Sequence, residues 1–75
     1  MYYMIQFSID IVADVEVSPQ KPLERVLIRK GTRLRAQLKP YVAETTHGPV
    51  EVADLFFEAG TCTRTVPYAF LTFVG

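Results

Sequence analysis

The chain of 75 residues has one cysteine, one histidine and no tryptophan, and these shortages exclude several kinds of site. Cys62 has no second cysteine with which to form an internal disulfide, and with His47 it supplies too few ligands for a zinc site. The sequence also lacks a phosphate-binding loop and a nucleophile motif. We interpret Cys62 as a buried structural thiol and His47 as an exposed loop residue, with a catalytic or small-molecule role for the two as the less favoured alternative. The sequence therefore predicts a non-enzymatic protein without metal or other cofactor.

Long apolar runs are missing as well. None approaches the roughly 18 to 20 residues of a membrane span, and the start, Met1-Tyr2-Tyr3-Met4, lacks the basic, apolar and small-residue regions of a signal peptide. We therefore expect a soluble, cytoplasmic protein that does not enter a membrane. A chain of this length predicts a single domain over residues 1–75, and because such a domain buries little surface, a homo-oligomer would add stability.

Two apolar stretches predict the hairpin around which the rest of the chain is arranged. Val50 to Phe57 and Thr61 to Val74 are rich in β-branched and aromatic residues, and Glu58-Ala59-Gly60 between them is typical of a tight turn. The alternation slips near Ala53-Asp54, which predicts a β-bulge. Pro67 predicts either an edge position or a bend in the second strand.

The clearest alternation of apolar and polar residues runs from Ile5 to Val17. It predicts one long strand with one wet face, which bends or pairs with two neighbours in turn. Asp10, Asp14 and Glu16 lie on the wet face. We interpret them as solvated carboxylates rather than as a catalytic or metal-binding row.

The segment from Leu23 to Lys30 allows two interpretations. The run Val26-Leu27-Ile28 favours a strand. Pro22 at a first helical position and Gly31 as a C-terminal cap would instead fit one short helix over about residues 22–30.

The predicted fold class is all-β, with about five antiparallel strands in a partly open barrel; the alternative is an α+β fold with the short helix. Arg33 to Ala43 forms a second amphipathic strand, and Glu44 to Pro49 predicts the loop that leads to Val50. The residues predicted to face inward are Ile5, Phe7, Ile9, Ile11, Leu34, Leu38, Val52, Leu55, Phe57, Phe70 and Val74.

Charge is segregated along the chain, although the formal net charge is zero. Residues 21–39 hold seven Lys or Arg against Glu24 alone, and the rest of the chain holds seven Asp or Glu against Arg64 alone. If neighbouring strands bring the two groups of charges together, the charges form ion pairs within the protein. If the fold keeps the two groups apart, a basic patch remains that can bind a polyanion or an acidic partner.

The candidate binding residues come from this basic window and the tyrosine that follows it: Arg29, Lys30, Arg33, Arg35, Lys39 and Tyr41. Their chemistry predicts a small binding module for an anionic partner, either a nucleic acid or an acidic protein surface. Tyr2, Tyr3, Tyr41 and Tyr68 are available as stacking platforms, although tyrosines of a small barrel more often lie in its core or at its rim. The alternative is a protein-interaction or self-assembly unit in which the strand from Ile5 to Val17 offers a free edge.

Residues 29–74 resemble small SH3-like β-barrels of the KOW and Tudor kind. The resemblance rests on Lys30-Gly31-Thr32 before an alternating strand, which is similar to a turn found in such barrels. It implies a binding module for RNA, ribosome-associated partners or peptides.

Overall fold

The computed structural model describes residues 1–74, in which the chain forms one sheet of seven strands. The strands are β1 (Tyr3–Phe7), β2 (Ile11–Glu16), β3 (Glu24–Ile28), β4 (Arg33–Thr45), β5 (Gly48–Phe57), β6 (Cys62–Pro67) and β7 (Leu71–Phe73), with a 3₁₀ turn at Tyr68–Phe70. The order across the sheet is β3-β2-β6-β5-β4-β1-β7, with antiparallel neighbours throughout. No helix in this part of the chain is long and apolar enough to cross a membrane.

The predicted all-β class is confirmed, and the sheet is curled and open as expected of a partly open barrel. The count of about five strands is wrong, because two of the predicted strands each fold as two. The alternative helix over residues 22–30 is also wrong, since Glu24–Ile28 forms β3 and pairs with β2. The branched run Val26-Leu27-Ile28 outweighs the helical spacing because β2 supplies a strand against which it pairs.

The stretch from Ile5 to Val17 folds as β1 and β2 with a turn between them. Within the turn, the carboxylate of Asp10 accepts a hydrogen bond from the backbone N–H of Lys30. The turn exposes Ile9, so its predicted inward position is wrong. β1 pairs with β4 and β7, and β2 pairs with β3 and β6. Both are interior strands, and the predicted free edge along Ile5 to Val17 is therefore wrong.

The predicted strand from Thr61 to Val74 is also divided. β6 ends at Pro67, the 3₁₀ turn follows at once, and β7 then pairs with β1 on the far side of the sheet. Because Pro67 has no N–H for a ladder, the chain leaves the sheet there. Of the two outcomes predicted for Pro67, an edge position or a bend, the structure shows the bend. The hairpin of β5 and β6 with its Glu58-Ala59-Gly60 turn is confirmed, and Gly60 has the positive φ of 97°.

A β-bulge lies where the alternation slips, as predicted, but the extra residue belongs to β6. Arg64 and Thr65 together face Asp54, and Thr65 adopts a left-handed φ of 60°. β5 keeps an unbroken register with β4, so Val52 stays on the side of the sheet opposite to the core. Val52 is nevertheless among the buried hydrophobic residues, so its predicted burial is confirmed, although it lies outside the main core cluster.

The core lies on one face of the sheet, called here the inner face; the other is the outer face. The core residues are Ile5, Phe7, Ala13, Val15, Ile28, Ala36, Ala53, Leu55, Phe57, Val66 and Leu71. The predicted inward residues that belong to the core are Ile5, Phe7, Leu55 and Phe57, and those that pack against it are Ile11, Leu34 and Leu38. Phe70 and Val74 lie outside this cluster and are only half-buried.

β4 and β5 continue beyond the rest of the sheet as a two-stranded arm, residues 40–51. β1 pairs with β4 only as far as Ala36, and β6 pairs with β5 only from Val52, so the arm strands pair with each other alone. They remain paired out to Thr45 and Gly48, which makes the loop shorter than predicted. The arm contains no Lys or Arg, and it carries Glu44 and Glu51 away from the start of β4.

Candidate anion-binding surface

β4 presents three of the candidate residues on the outer face. Arg33, Arg35 and Lys39 alternate with Leu34 and Ala36, which are turned toward the core. All three basic side chains are exposed. The strict alternation of β4 therefore produces the basic row that the sequence predicts.

Arg29 and Lys30 lie in the turn that joins β3 to β4. The turn is closed by a 3.0 Å hydrogen bond from the Thr32 amide to the Arg29 carbonyl. The Gly31 amide donates to the Phe7 carbonyl at 2.8 Å, which fixes the turn against the end of β1. Both basic side chains are exposed beside the start of β4. We call Arg29, Lys30, Arg33, Arg35 and Lys39 together the basic surface.

The carboxylates of Asp10, Asp14 and Glu16 do not form ion pairs with the side chains of the basic surface. The Asp14 carboxylate is 3.5 Å from Arg25 Nε, and the Glu16 carboxylate is 3.5 Å from an Arg64 nitrogen. The Asp10 carboxylate accepts a hydrogen bond from the backbone N–H of Lys30 and does not pair with the Lys30 side chain. The cross-strand pairing expected of the charges thus occurs mainly through arginines outside the basic surface.

One member of the basic surface does form an ion pair. Arg35 Nε lies 3.0 Å from Glu58 Oε2, and both side chains are more than half exposed, so the pair contributes at most about 1 kcal/mol. Arg33 Nε donates to the neutral side chain of Gln6 at 2.9 Å. Within residues 1–74, the side chains of Arg29, Lys30, Arg33 and Lys39 have no acidic partner within ion-pair distance.

Tyr41 follows the basic row on the outer face, but its hydroxyl already has partners. It donates to Asp54 Oδ1 at 2.9 Å and lies 2.8 Å from Thr65 Oγ1. These bonds join the side chain to the bulge. Tyr41 therefore has a structural role, and its ring is held in place rather than free to follow a ligand.

Three other aromatic side chains lie away from the basic surface. Tyr3, Tyr68 and Phe73 form a cluster with ring-centre distances of 6.0 and 5.9 Å. With Leu38 and Pro40 they line an open groove of about 490 Å³. Tyr3 shares the inner face with the core, whereas the basic row is on the outer face. This cluster is therefore separated from the basic row, whereas Phe56 lies on the outer face opposite Gln37 of β4.

A polar network around Arg64 on the outer face was not foreseen from the sequence. One Arg64 nitrogen lies 3.3 Å from Asp54 Oδ2, another 3.5 Å from Glu16 Oε2, and the guanidinium lies 5.7 Å from the centre of the Phe56 ring. Burial of Asp54 opposes its ionisation, but the Thr65 amide, the Tyr41 hydroxyl and Arg64 outweigh burial and lower its pKa. The available signal was a carboxylate in the middle of an apolar strand, which requires partners.

Cys62 is buried, as predicted, and its thiol donates to Glu16 Oε2 at 3.0 Å. This hydrogen bond and burial raise the pKa of the thiol, while the same bond lowers the pKa of Glu16. The thiol is therefore a poor nucleophile at neutral pH. His47 is exposed at the tip of the arm. Residues 1–74 contain no group of three or more His, Cys, Asp or Glu arranged to hold a metal ion.

Comparison with protein families, curated proteins and solved structures finds no match for this chain. The resemblance of residues 29–74 to SH3-like barrels accordingly stays a prediction. A functional hypothesis has to rest on the arrangement of the side chains themselves.

Proposed function

We propose that the protein is a non-enzymatic binding module that holds an anionic partner on the basic surface. One observation carries the proposal: four of the five basic side chains have no acidic partner within the described residues, although the chain has as many acidic as basic residues. Unpaired cations on one strand and the adjoining turn attract a polyanion at long range and bind it by releasing counterions.

The position of the aromatic rings limits how a nucleic acid can bind. Because Tyr3, Tyr68 and Phe73 lie toward the inner face, bases cannot stack on them while phosphates contact the outer face. Phe56 on the outer face offers one ring beside the basic row, and stacking of a base on it would not depend on sequence. A nucleic acid would therefore be held mainly through its backbone, without reading of sequence. An acidic protein surface would meet the same residues in the same way.

The test is fluorescence anisotropy with labelled single- and double-stranded RNA and DNA over a series of salt concentrations. Affinity should fall linearly in log salt, with a slope of about 0.7 to 0.9 for each phosphate contacted. Arg33→Gln should weaken binding to every sequence alike and reduce the slope by about 1. Lys21→Gln removes one positive charge from the exposed loop between β2 and β3 and is the matched control, which should leave the slope unchanged.

A further pair of variants uses the ion pair of Arg35. Glu58→Gln releases Arg35 and should strengthen binding, whereas Arg35→Gln should weaken it. Polyglutamate as a competitor distinguishes an acidic protein partner from a nucleic acid. Equal losses in Arg33→Gln and Lys21→Gln would show that only overall charge matters, and absence of binding to nucleic acid and polyglutamate at low salt would refute the proposal.

A further inference from the structure

β3 is a free edge of the sheet. In the part of the chain that the structure describes, β3 pairs with β2 on one side only, whereas β7 at the opposite edge has just three residues. Alternate backbone N–H and C=O groups of an edge strand point away from its neighbour and form a template for another strand. Glu24–Ile28 is therefore the longer of the two edge strands to which a further strand can be added.

The β3 edge exposes apolar side chains next to its two charged residues, Glu24 and Arg25. Leu27 is 50% exposed and Val26 is 38% exposed, and Val12, which faces Leu27 from β2, is 64% exposed. Edge strands are commonly protected from association by charged residues, prolines or bulges. The one positive charge within β3 is Arg25, which leans toward Asp14 of β2.

We infer that β3 pairs with β3 of a second copy of this chain, antiparallel and about a two-fold axis through Val26. A two-fold axis perpendicular to a sheet places one residue opposite its own copy, because side chains that face each other must lie on the same side of the sheet. The central residue is then Arg25, Val26 or Leu27, and charge selects among these three registers.

Like charges disfavour two of the registers. Centring on Arg25 places two arginines directly opposite each other. Centring on Leu27 places Arg25 opposite Arg29, although it also sets Glu24 opposite Lys30; each like-charge pair is destabilising. Centring on Val26 places Arg25 opposite Leu27 and Glu24 opposite Ile28, without a like-charge pair. The aliphatic part of Arg25 then covers the exposed Leu27 of the other copy.

The inferred pairing joins two sheets edge to edge. Val26 faces Ala13 within each copy and shares the inner face with the core, so two valines meet where the two cores approach each other. A contact of five residues on each strand is small, and interfaces of this size are typical of weak, reversible complexes. We therefore expect a dimer that forms as the concentration rises from micromolar to millimolar.

Cysteine crosslinking tests the register directly. In a Cys62→Ser background, Arg25→Cys, Val26→Cys and Leu27→Cys are compared under oxidation and with a short thiol-specific crosslinker. Directly opposed residues have Cβ atoms about 4.5 to 5.5 Å apart, so Val26→Cys should give covalent dimer fastest. Fastest crosslinking at position 25 or 27 would overturn the inferred register, and equal crosslinking by Val42→Cys on the arm would overturn the interface.

Sedimentation equilibrium tests the association itself. Wild type should approach twice the monomer mass at high concentration, and Val26→Lys should remain monomeric with an unchanged circular dichroism spectrum. Val42→Lys, at a position 59% exposed, is the matched control and should dimerise like wild type. If Val26→Lys fails to fold, the crosslinking series decides. A wild type that stays monomeric across the range would overturn the inference, whereas anion binding is measured separately and does not depend on it.

Discussion

The hydroxyl of Tyr41 donates a 2.9 Å hydrogen bond to Oδ1 of Asp54, and so joins the outer face of β4 to β5. The same oxygen accepts the backbone N–H of Thr65 at 2.9 Å, which adds β6. Asp54 is only 6% exposed, so water has little access to replace either bond. One carboxylate thus holds three strands at the bulge.

Tyr41→Phe should destabilise the protein by about 1 to 2 kcal/mol, because the buried carboxylate loses one donor while the ring is kept. Urea unfolding measures the loss, and Tyr2→Phe is the control because Tyr2 is exposed near the chain start. Affinity for a nucleic acid should be unchanged. A stable Tyr41→Phe protein with lost affinity would instead place the hydroxyl at the binding surface.

Acid should destabilise the protein through Asp54. Its folded pKa is below the unfolded value of about 4, so the stabilisation is fully present above about pH 4 and is lost as pH falls through the folded pKa. Asp54→Asn keeps an acceptor but no titrating group, and should show lower stability at neutral pH and a shallower decline in acid. Glu44→Gln on the exposed arm should keep the wild-type pH profile, and an unchanged profile in Asp54→Asn would contradict this account.

At position 65 a glycine variant should be more stable than an alanine variant. Thr65 is the one non-glycine residue among residues 1–74 with a positive φ, which costs a side chain with a Cβ about 1 to 2 kcal/mol. Thr65→Gly and Thr65→Ala lose the same hydroxyl, so their difference isolates the backbone. We expect the glycine variant to be more stable by about 1 kcal/mol in urea unfolding. At Thr72 in β7 the order should reverse, because glycine weakens an ordinary strand.

Glu16 should suppress the reactivity of Cys62. Glu16→Gln removes the negative charge beside the thiol and lowers the pKa of Cys62, which increases the thiolate fraction. The rate with a disulfide reagent such as Ellman's reagent at mildly alkaline pH should rise about threefold to tenfold, since each pKa unit changes that fraction tenfold. Glu51→Gln on the arm is the control. Equal rates in both variants would mean that access alone limits the reaction.

Periodicity predicted the local elements well and their partners poorly. The all-β class, the hairpin of β5 and β6, the basic row of β4 and the bend at Pro67 follow from alternation and turn chemistry, which act over a few residues. The length of Ile5 to Val17 predicted a bend or a change of neighbours, but not a complete division into two strands, because the turn at Asp10 is held by the backbone of Lys30, which is distant in the chain. The predicted free edge failed for the same reason.

The polar site was predicted only in part. The exposure of Arg33 and Lys39 follows from their place in the alternation, because odd positions of β4 face outward. The Arg64 network depends on a bulge whose extra residue lies in β6, and the sequence pattern of β5 located the slip without identifying the strand that absorbs it. Tyr41 was predicted as a stacking platform, and the sequence around it does not indicate that its hydroxyl binds a carboxylate two strand positions away on β5.

The pairing of β1 with β7 has a consequence for how the protein is made. β1 is made before the other six strands, yet its neighbours are β4 and β7, and β7 is separated from it by nearly the whole described chain. The side of β1 that pairs with β7 must remain without its ladder until β7 has been made, and contacts of such long range slow folding. An early strand that waits with unpaired backbone is open to association with other nascent chains, which gives chaperones a reason to bind there.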